Sequence, residues 1–319
     1  MRTTQVSVIV PTCDRPKYLR QALASIRALE TGALKFEILV GDNGKDPSSR
    51  AIAEEFGAIH MKVDRPGAGA ARNAGLKAAT GEFIAFLDDD DVWMAKNVVN
   101  HIAMLEADPK LDGVFGQIVC TDMDLRPIME PWPSSAPDNS DALVKDMLSG
   151  YYPQLAGTVV RTRVRDEIGL FDESLLGDQD WDWQLRVARR RHVGFTPTQC
   201  VLFRQRPPGS FDKLRLRRLG FGRKVFFRHA VPEWRLWKSP FAFMGAYTKV
   251  VWQYFDYFTE AAIERSEQGE RKAALGAVAG AFRVFPLRTL YHLVVFKPLG
   301  RATFRAIWPG RSKPRAGAA

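Results

Sequence analysis

The sequence predicts an α/β fold in which a mostly parallel, doubly wound sheet is flanked by helices. Short runs of apolar and β-branched residues recur along the first part of the chain, each of a length that suits one buried strand. Segments with helical spacing of apolar residues lie between them, and this alternation is typical of parallel sheets. The runs also stop at proline, glycine or aspartate, which are residues that end strands. The strands are expected at 6–10, 36–40, 59–63, 83–87, 113–119 and 156–160.

The segments between these runs carry the spacing and the end signals of helices. Asp14 is placed to cap a helix that has Pro16 in its first turn. Leu19, Leu23 and Ile26 fall on one face of that helix, so this face is expected to be apolar. The other helices of this part are expected at 47–56, 70–79, 95–106 and 178–191.

Four consecutive aspartates, residues 88–91, directly follow the run at 83–87. Four like charges in a row repel one another, but they are explained if a cation lies between them. The alternative is a solvated acidic turn, which such runs often are. Pro11, Thr12 and Asp42 also follow strands directly, and ligands of α/β sheets bind outside the carboxyl ends of the strands. Three such strand ends favour a cation site in one crevice.

A carboxylate pair at this edge suits a substrate that carries a diphosphate. A divalent cation such as Mg²⁺ or Mn²⁺ takes oxygen ligands from one or two carboxylates and completes its shell with phosphate oxygens and water. Asp42 can accept a hydrogen bond from a nucleobase N–H, so the crevice suits a nucleoside diphosphate derivative. The sequence has no GxxxxGK[ST] and no GxGxxG after the first strand, which argues against ordinary NTPase and dinucleotide-binding chemistry.

Composition narrows the class of protein further. A length of 319 residues suggests about two domains, and 46% apolar with 26% charged residues is ordinary for a globular protein. Cys13, Cys120 and Cys200 are far apart and form no CxxC, which argues against a zinc site or a disulfide framework and fits a reducing compartment. The apolar run near the N-terminus is too short for a signal peptide, so we expect a cytoplasmic protein.

Five sequence blocks, in this order, resemble those of the family 2 inverting glycosyltransferases, whose GT-A fold binds a nucleotide-sugar. The resemblance covers roughly residues 5–210. Because the blocks keep sensible spacing, together they are much more specific than any one of them. The blocks are VSVIVPT at 6–12, GDNG at 41–44, PGAGAARNAG at 66–75, GEFIAFLDDDDVW at 81–93, and IGLFDE at 168–173 with DWD at 180–182.

The resemblance implies a donor site at the crevice. Asp42 would contact the nucleobase, in a pocket lined by Pro11 and Thr12. Asp88 and Asp90 would form the DxD pair, with Asp88 toward the ribose and the metal and Asp90 a direct metal ligand. The central position of the motif is itself an aspartate, so the register 89/91 is the alternative.

The resemblance also places residues nearer the reacting atoms. Arg72 lies in the segment that closes over the donor, with a structural role on a helix face as the alternative. Asp180 would be the general base that takes the proton of the acceptor hydroxyl. Arg206 could pair a phosphate oxygen of the donor. Asp178 and Asp182 are interpreted as residues that cap a helix.

The expected function is therefore metal-dependent, inverting transfer of a hexosyl group from a nucleoside diphosphate sugar. The acceptor would be a glycan, a lipid-linked sugar or a surface-polymer precursor, as in polysaccharide and cell-envelope biosynthesis. The QxxRW motif of processive synthases is absent, which favours transfer of a single sugar. A sugar-phosphate nucleotidyltransferase is the second hypothesis, although residues 11–15 lack its Gly-rich loop. A protein that kept the fold and lost the chemistry is the third, although Asp90 and Asp180 are both present.

The C-terminal third has a different composition, so the expected domains are 1–210, for the transferase, and 211–319, a helical and basic region. Residues 1–203 carry a net charge of −6 and residues 204–319 carry +16. Helices are expected at 241–258 and 273–296, and a disordered tail at 309–319.

Basic side chains alternate with aromatic and aliphatic ones over 282–308, which suits a helix at an anionic membrane surface. Peripheral attachment to the inner face of the cell membrane is therefore expected. The alternative is that these helices pack on the transferase domain. No nucleic-acid-binding motif occurs, so no nucleic-acid partner is expected.

Overall fold

The computed structural model describes residues 3–96, 98–136, 142–205, 212–234, 239–295 and 297–307. Arg206, Phe296 and Trp308, together with the expected tail at 309–319, lie outside the described residues. The strands found in the described part of the chain are β1 (Thr4–Thr12), β2 (Leu34–Asp42), β3 (Ile59–Lys62), β4 (Phe83–Phe86), β5 (Val92–Trp93), β6 (Gly113–Thr121), β7 (Thr158–Arg161) and β8 (Val193–Arg204).

These strands form one sheet in the order β3-β2-β1-β4-β7-β6-β8-β5. β1 pairs in parallel with both β2 and β4, whereas β7 is antiparallel to both of its neighbours and β5 is antiparallel to β8. Six of the eight strands among the described residues therefore run in one direction, and the predicted mostly parallel α/β sheet is confirmed. Because the chain extends to opposite sides of β1, a topological switch point lies between β1 and β4.

Helices cover both faces of this sheet. Val8 and its alternate neighbours pack in one apolar cluster with the helix at 16–27, while Ile9 points to the other face and packs in a second cluster with the helices at 68–78 and 179–190. The predicted apolar face of the first helix is confirmed, because Leu19, Leu23 and Ile26 are fully buried. The helices of this part are α1 (Pro16–Arg27), α2 (Ser48–Glu55), α3 (Ala68–Ala78), α4 (Val99–Ala107), α5 (Leu143–Leu148), α6 (Thr162–Ile168) and α7 (Gln179–Arg190).

The predicted cap of α1 is wrong. Arg15 occupies the capping position and makes no side-chain cap bond. The Asp14 carboxylate instead accepts hydrogen bonds from the backbone N–H groups of Lys45, at 2.5 Å, and Asp46, at 2.8 Å. Asp14 therefore ties the loop after β1 to the loop after β2.

Contacts divide the chain into two compact units. Unit 1 comprises Met1–Arg206 and Lys224–Pro240, and unit 2 comprises Pro207–Arg223 and Phe241–Ala319. No helix in the described ranges combines the length and the hydropathy needed to cross a membrane. The remaining helices are α8 (Asp212–Trp234), α9 (Pro240–Glu267), α10 (Arg271–Val284), α11 (Pro286–Val294) and α12 (Pro298–Ile307).

Unit 2 has an apolar core of its own, built on α9. Phe255 and Phe258 of α9 are fully buried and pack with side chains of α10 and α12. Gly280 permits the close approach of α10, because a Cβ at this position would overlap the Phe258 ring. The expected helix at 273–296 is two helices, because Pro286 lacks the backbone N–H that would continue the first one.

Candidate functional site

The switch point brings the end of β1 against the acidic run that follows β4. The Thr12 hydroxyl donates a hydrogen bond of 2.7 Å to Asp89 Oδ2 inside the protein. Thr12 also lies directly beside Asp42 in the register of β1 and β2. The three strand ends that the sequence singled out are therefore neighbours at one edge of the sheet.

The four aspartates of the run divide into an inner and an outer pair. Asp89 and Asp91 are buried, with 4% and 1% of their surface exposed. The side chains of Asp88 and Asp90 are 38% and 16% exposed. Carboxylates that are to meet a ligand must be accessible, so the outer pair is the one that can face a substrate.

The inner pair is tied to the protein. Arg15 donates to Asp89 Oδ1 at 3.0 Å and to Asp90 Oδ2 at 2.9 Å, so it joins one inner aspartate to one outer aspartate. Burial raises the pKa of the Asp89 carboxyl to about 6, against the opposing effect of Arg15. Burial, with the charges of Asp88 and Asp90, also raises the pKa of Asp91 well above its usual range.

Arg204, at the end of β8, holds the backbone of the run from the other side. Its backbone N–H donates to Asp91 Oδ1 at 3.0 Å, and its guanidinium donates to the Asp90 carbonyl and to Gln21 Oε1. Its guanidinium also lies 5.1 Å from the centre of the Tyr18 ring. Contacts from α1 and β8 therefore fix the shape of the acidic run.

Asp42 ends β2 and is almost completely buried. Its Oδ1 accepts a 2.8 Å hydrogen bond from the Gly44 backbone N–H. Its Oδ2 lies 3.0 Å from Nε2 of His60, on the neighbouring strand β3, and 4.0 Å from Nζ of Lys62. The carboxylate is thus oriented by two partners, and His60 was not recognised from the sequence.

Arg72, on α3, is buried beside the acidic run. Its Nη2 donates a 2.5 Å hydrogen bond to Asp88 Oδ1, and its guanidinium lies 5.7 Å from the centre of the Phe171 ring. Its Nε and Nη1 are buried and have no hydrogen-bond partner. Unpaired buried guanidinium donors are costly, so they mark a position where an anion would be well bound.

Asn73, the next residue, joins α3 to the loop that leads into α7. Its side chain exchanges hydrogen bonds with both backbone groups of Phe171, at 3.0 and 2.8 Å, and donates to Glu173 Oε1 at 2.8 Å. This loop brings the first turn of α7 to the crevice. Asp180 lies in that turn and is half-buried, and its carboxylate accepts the Trp181 N–H at 2.9 Å. Against the effect of burial, the charges of Asp88 and Asp180 raise the pKa of the Arg72 guanidinium, so Asp180 lies near Arg72.

Asp182 does not cap α7. Its carboxylate is fully buried and accepts from Arg228 at 2.7 Å and from Arg186 at 3.1 Å, while His229 Nε2 lies 3.0 Å away. Arg228 also donates to Asp172 at 2.8 Å. Asp178, at the capping position, makes no side-chain cap bond either. Asp178 thus occupies the predicted capping position without a capping hydrogen bond, whereas the capping interpretation of Asp182 is wrong, because its carboxylate fixes the start of α7 on residues 224–234.

These pairs predict a pH dependence of stability. Burial opposes ionisation of Asp182 and Asp172, but the groups that donate to them outweigh it, so the pKa of Asp182 is lowered and that of Asp172 is about 2. A carboxyl with a depressed folded-state pKa stabilises the protein above its unfolded pKa, and this contribution is lost as the pH falls through the folded pKa. We expect Asp182→Asn to lower the free energy of unfolding at pH 7 by about 1–3 kcal/mol. Below about pH 4, the free energy of unfolding of this variant should decrease less steeply with falling pH than that of wild type.

Denaturant titrations between pH 7 and pH 2.5 measure this effect. The matched control is Asp166→Asn, which removes an exposed pair with Arg165 of 2.7 Å and should change stability by less than about 0.5 kcal/mol. Equal losses in the two variants would show that the buried contacts of Asp182 add nothing.

The structure brings most of the sequence-predicted site residues together. Those at or near the switch point are Pro11, Thr12, Asp42, Arg72, Asp88 and Asp90, and Asp180 reaches them through the loop held by Asn73. Arg206 lies outside the described residues. The sequence reasoning missed Arg15, His60 and Arg228, and of these only Arg15 lies close after a strand end, three residues beyond Thr12.

The outer aspartates fit a divalent cation in their donor chemistry and position. Both supply carboxylate oxygen, which is what Mg²⁺ and Mn²⁺ prefer. In the described part of the chain, no three or more His, Cys, Asp or Glu side chains are arranged as a metal site. A cation held by Asp88 and Asp90 would therefore need further oxygen ligands from a substrate and from water.

Comparison with known proteins assigns the family. Residues 7–164, which include most of β1, the acidic run and all of β2 to β7, match the profile described as Glycosyl transferase family 2. Residues 7–164 belong to glycosyltransferase family 2. Asp180 lies beyond the matched residues.

One relative with a described activity and one uncharacterized relative match parts of this chain. It is 34% identical over 104 residues to UDP-Glc:alpha-D-GlcNAc-diphosphoundecaprenol beta-1,3-glucosyltransferase WfgD of Escherichia coli, which covers 31% of this chain and 40% of that protein. It is 27% identical over 207 residues to the uncharacterized glycosyltransferase YwdF of Bacillus subtilis, covering 62% of this chain and 74% of that one. The chain thus spans well under half of the first relative.

Solved structures agree on the fold. The mannosyltransferase PcManGT from Pyrobaculum calidifontis, solved in complex with GDP-Man and Mn²⁺, superimposes with a TM-score of 0.54 at 15% identity, over 96% of this chain and 87% of that one. The GT-A-type α/β fold expected for this family 2 glycosyltransferase is therefore confirmed.

Proposed function

We propose that the chain is a metal-dependent, inverting glycosyltransferase that moves a hexosyl group from a nucleoside diphosphate sugar to an acceptor hydroxyl. The observation that carries the proposal is the meeting of Asp42, the outer aspartates and Arg72 at the switch point. The family assignment of residues 7–164 supports the donor class. In this proposal residues 1–210 form the transferase domain and residues 211–319 a helical region, of which residues 224–240 pack within unit 1.

The donor would lie along the strand ends. Asp42 accepts a hydrogen bond from a base N–H. Its carboxylate is prepared for this contact because Gly44 and His60 hold it in one orientation. Pro11 and Thr12 line the same pocket at the end of β1.

The register 88/90 of the acidic pair is supported by exposure and hydrogen bonding. Asp88 and Asp90 are accessible, whereas Asp89 and Asp91 are buried and already accept hydrogen bonds from Thr12, Arg15 and the Arg204 backbone N–H. A divalent cation, when bound, offsets the negative charge that develops on the leaving diphosphate. Asp88 and Asp90 would hold it, and the likeness to a fold solved with GDP-Man and Mn²⁺ agrees with this.

Arg72 contributes a second positive charge to the diphosphate. Its unpaired Nε and Nη1 would bind phosphate oxygens, while its bond to Asp88 keeps the guanidinium in place. Arg206 is proposed to pair a phosphate oxygen as well.

Asp180 performs the proton transfer. The acceptor oxygen forms a bond to the anomeric carbon as the bond from that carbon to the diphosphate oxygen breaks, and the hydroxyl proton passes to the Asp180 carboxylate. A single displacement inverts the anomeric configuration. Asp182 is unsuited to this role, because all of its surface is buried among Arg186, Arg228 and His229.

For the acceptor we propose a lipid-linked sugar or a surface-polymer precursor, in polysaccharide or cell-envelope biosynthesis. The name of the E. coli relative states that its acceptor is a sugar on diphosphoundecaprenol. A lipid-linked acceptor would place the enzyme at the cytoplasmic face of the cell membrane.

The proposal is tested by hydrolysis of nucleotide-sugars without an acceptor. The purified chain is incubated with UDP-, GDP- and dTDP-sugars, each with Mn²⁺ or Mg²⁺, and release of the nucleoside diphosphate is followed. We expect one base to be preferred and release to require the cation. Release of pyrophosphate from a nucleoside triphosphate and a sugar phosphate would instead indicate a nucleotidyltransferase, and no turnover of any donor would contradict the proposal.

His60→Ala is expected to weaken donor binding with little effect on kcat. One hydrogen bond that orients the Asp42 carboxylate is lost, and a net value of about 1 kcal/mol corresponds to about fivefold in Kd. Calorimetric titration with UDP and GDP measures it. Lys62→Ala is the control, because Nζ lies 4.0 Å from the same oxygen and its side chain is half exposed. An unchanged Kd in His60→Ala would remove His60 from the base pocket.

A further inference from the structure

Helix α11 has its apolar side turned toward solvent. Leu287, Leu290, Tyr291 and Val294 are spaced as one face of a helix, and they are 83%, 49%, 54% and 75% exposed. We call these four residues the outer face of α11. An ordinary surface helix buries such a face and exposes a polar one. Four large apolar side chains exposed side by side therefore mark an interaction surface.

The opposite side of α11 is polar or aromatic and is already packed. Thr289 is fully buried. The His292 ring lies edge-on to Phe255 of α9, with their centres 5.5 Å apart. The Arg288 guanidinium lies 4.0 Å from the centre of the Trp252 ring, also on α9. The orientation of α11 is therefore fixed by its contacts within unit 2, and the outer face cannot turn inward without breaking them.

The helices next to α11 in the chain extend the apolar exposure. Phe282, at the end of α10, and Phe304 and Ile307, on α12, are all exposed. α12 packs closely on the end of α11, because a Cβ at Gly300 would overlap the His292 carbonyl oxygen. Exposed aromatic and aliphatic side chains thus recur on three consecutive helices of the same unit.

The charge of this segment selects the kind of partner. Residues 271–307 contain seven Lys or Arg residues and no Asp or Glu. Arg283, Lys297 and Arg301 flank the outer face in the chain, and all three are exposed. An apolar strip with basic flanks matches the interface of an anionic bilayer, where apolar side chains enter the boundary and basic ones meet phosphates. A second copy of the chain would bring two strongly basic segments together, which like-charge repulsion disfavours.

We infer that the outer face of α11 docks unit 2 on an anionic lipid surface. Leu287, Leu290, Tyr291 and Val294 enter the headgroup boundary, and the exposed basic side chains of α10 to α12 contact lipid phosphates. The inference rests on the membrane location proposed above and does not depend on the transfer chemistry.

Co-sedimentation of the full chain with vesicles tests the docking. Wild type is expected to sediment with phosphatidylcholine vesicles that contain phosphatidylglycerol, and less with phosphatidylcholine alone. Leu287→Ser with Val294→Ser should lower the partition coefficient on anionic vesicles at least about tenfold, since two exposed apolar side chains are lost without a change of charge. The matched control is Ile128→Ser with Met129→Ser, which removes two exposed apolar side chains, at 52% and 54%, from unit 1 and should bind like wild type.

A second pair separates the charge from the apolar contact. Arg283→Gln with Arg301→Gln should weaken binding to anionic vesicles several-fold and leave binding to neutral vesicles unchanged. Because all these positions are exposed, we expect the variants to keep the wild-type melting temperature.

Three outcomes would overturn the docking. Wild type could stay in the supernatant with anionic vesicles at low salt, or the Leu287/Val294 variant could sediment as fully as wild type. Light scattering without lipid could also show a dimer that this variant dissociates, which would make a second copy the occupant. Donor hydrolysis is measured on the same samples: a chain that hydrolyses donor but stays in solution contradicts the docking alone, and one that sediments but turns over no donor contradicts the transferase alone.

Discussion

Asp90→Ala is expected to abolish sugar transfer while the protein stays folded. A divalent cation held by Asp88 and Asp90 would stabilise the charge that develops on the leaving diphosphate by several kcal/mol. We therefore expect its loss to lower kcat by about 10³-fold or more. The fold should survive because Asp89 keeps its hydrogen bonds to Thr12 and Arg15. EDTA should abolish the activity of wild type, and added Mn²⁺ should restore wild type but not the variant. Full wild-type activity in EDTA would refute the metal assignment.

The neighbouring aspartates provide matched controls that also decide the register. Asp89 and Asp91 are buried and directed at protein partners, so Asp89→Asn and Asp91→Asn keep the shape of side chains that do not reach a substrate. We expect each to lose less than about tenfold in kcat, whereas Asp90→Asn loses nearly as much as Asp90→Ala. Loss of activity in Asp89→Asn and Asp91→Asn, with Asp90→Asn active, would move the metal pair to 89/91.

Asp180→Asn is expected to lower kcat by about 10²–10⁴-fold, the usual contribution of a positioned acid or base. The amide has nearly the same shape but cannot take the acceptor proton. Donor binding should change little, because Arg72 keeps its bond to Asp88. Steady-state rates with a donor found by the hydrolysis screen, and Kd values for the nucleoside diphosphate, measure the two quantities separately.

Asp178→Asn is the control for the base, since it changes the same residue type two positions earlier. It should retain kcat within about fivefold. If Asp180→Asn also stays within fivefold, neither aspartate removes the proton and another group is the base.

The alternation of apolar runs and helical segments was enough to predict the sheet and its mostly parallel order, because each signal is local. β5 and β8 were missed for a physical reason: β5 is two residues long and exists through its pairing with β8, more than 100 residues later. Pro197 and several polar residues hide β8 from a search for apolar runs. Pairing between strands so far apart in the chain produces no recognisable pattern within a short stretch of sequence.

The residues of the candidate site also divide into those with a local sequence signal and those brought together by long-range contacts. Thr12, Asp42 and the acidic run could be singled out because each directly follows a strand. Arg15 meets Asp89 across 74 residues, and Arg228 meets Asp182 across 46, so the neighbouring sequence does not predict which carboxylate either arginine contacts. His60 lies inside a strand, where its approach to Asp42 depends on the register of β2 and β3.

The basic C-terminal helices show a second property that sequence periodicity does not predict. Periodicity predicted that residues near 282–308 have an apolar stripe, but a period does not state what the stripe faces. The packing of His292 and Arg288 on α9 decides that the stripe on α11 points outward.

The three hydrogen bonds of Asn73 have a consequence for how acceptor preference can diversify. They hold the helix that carries Arg72 against the loop that precedes Asp180, so the distance between these two side chains is fixed. Irregular segments such as 126–136 lie outside these two stretches of chain, so they can change in length or composition without altering the distance between Arg72 and Asp180. Loop grafting aimed at new acceptors should therefore exchange those segments and leave residues 67–73 and 171–180 untouched.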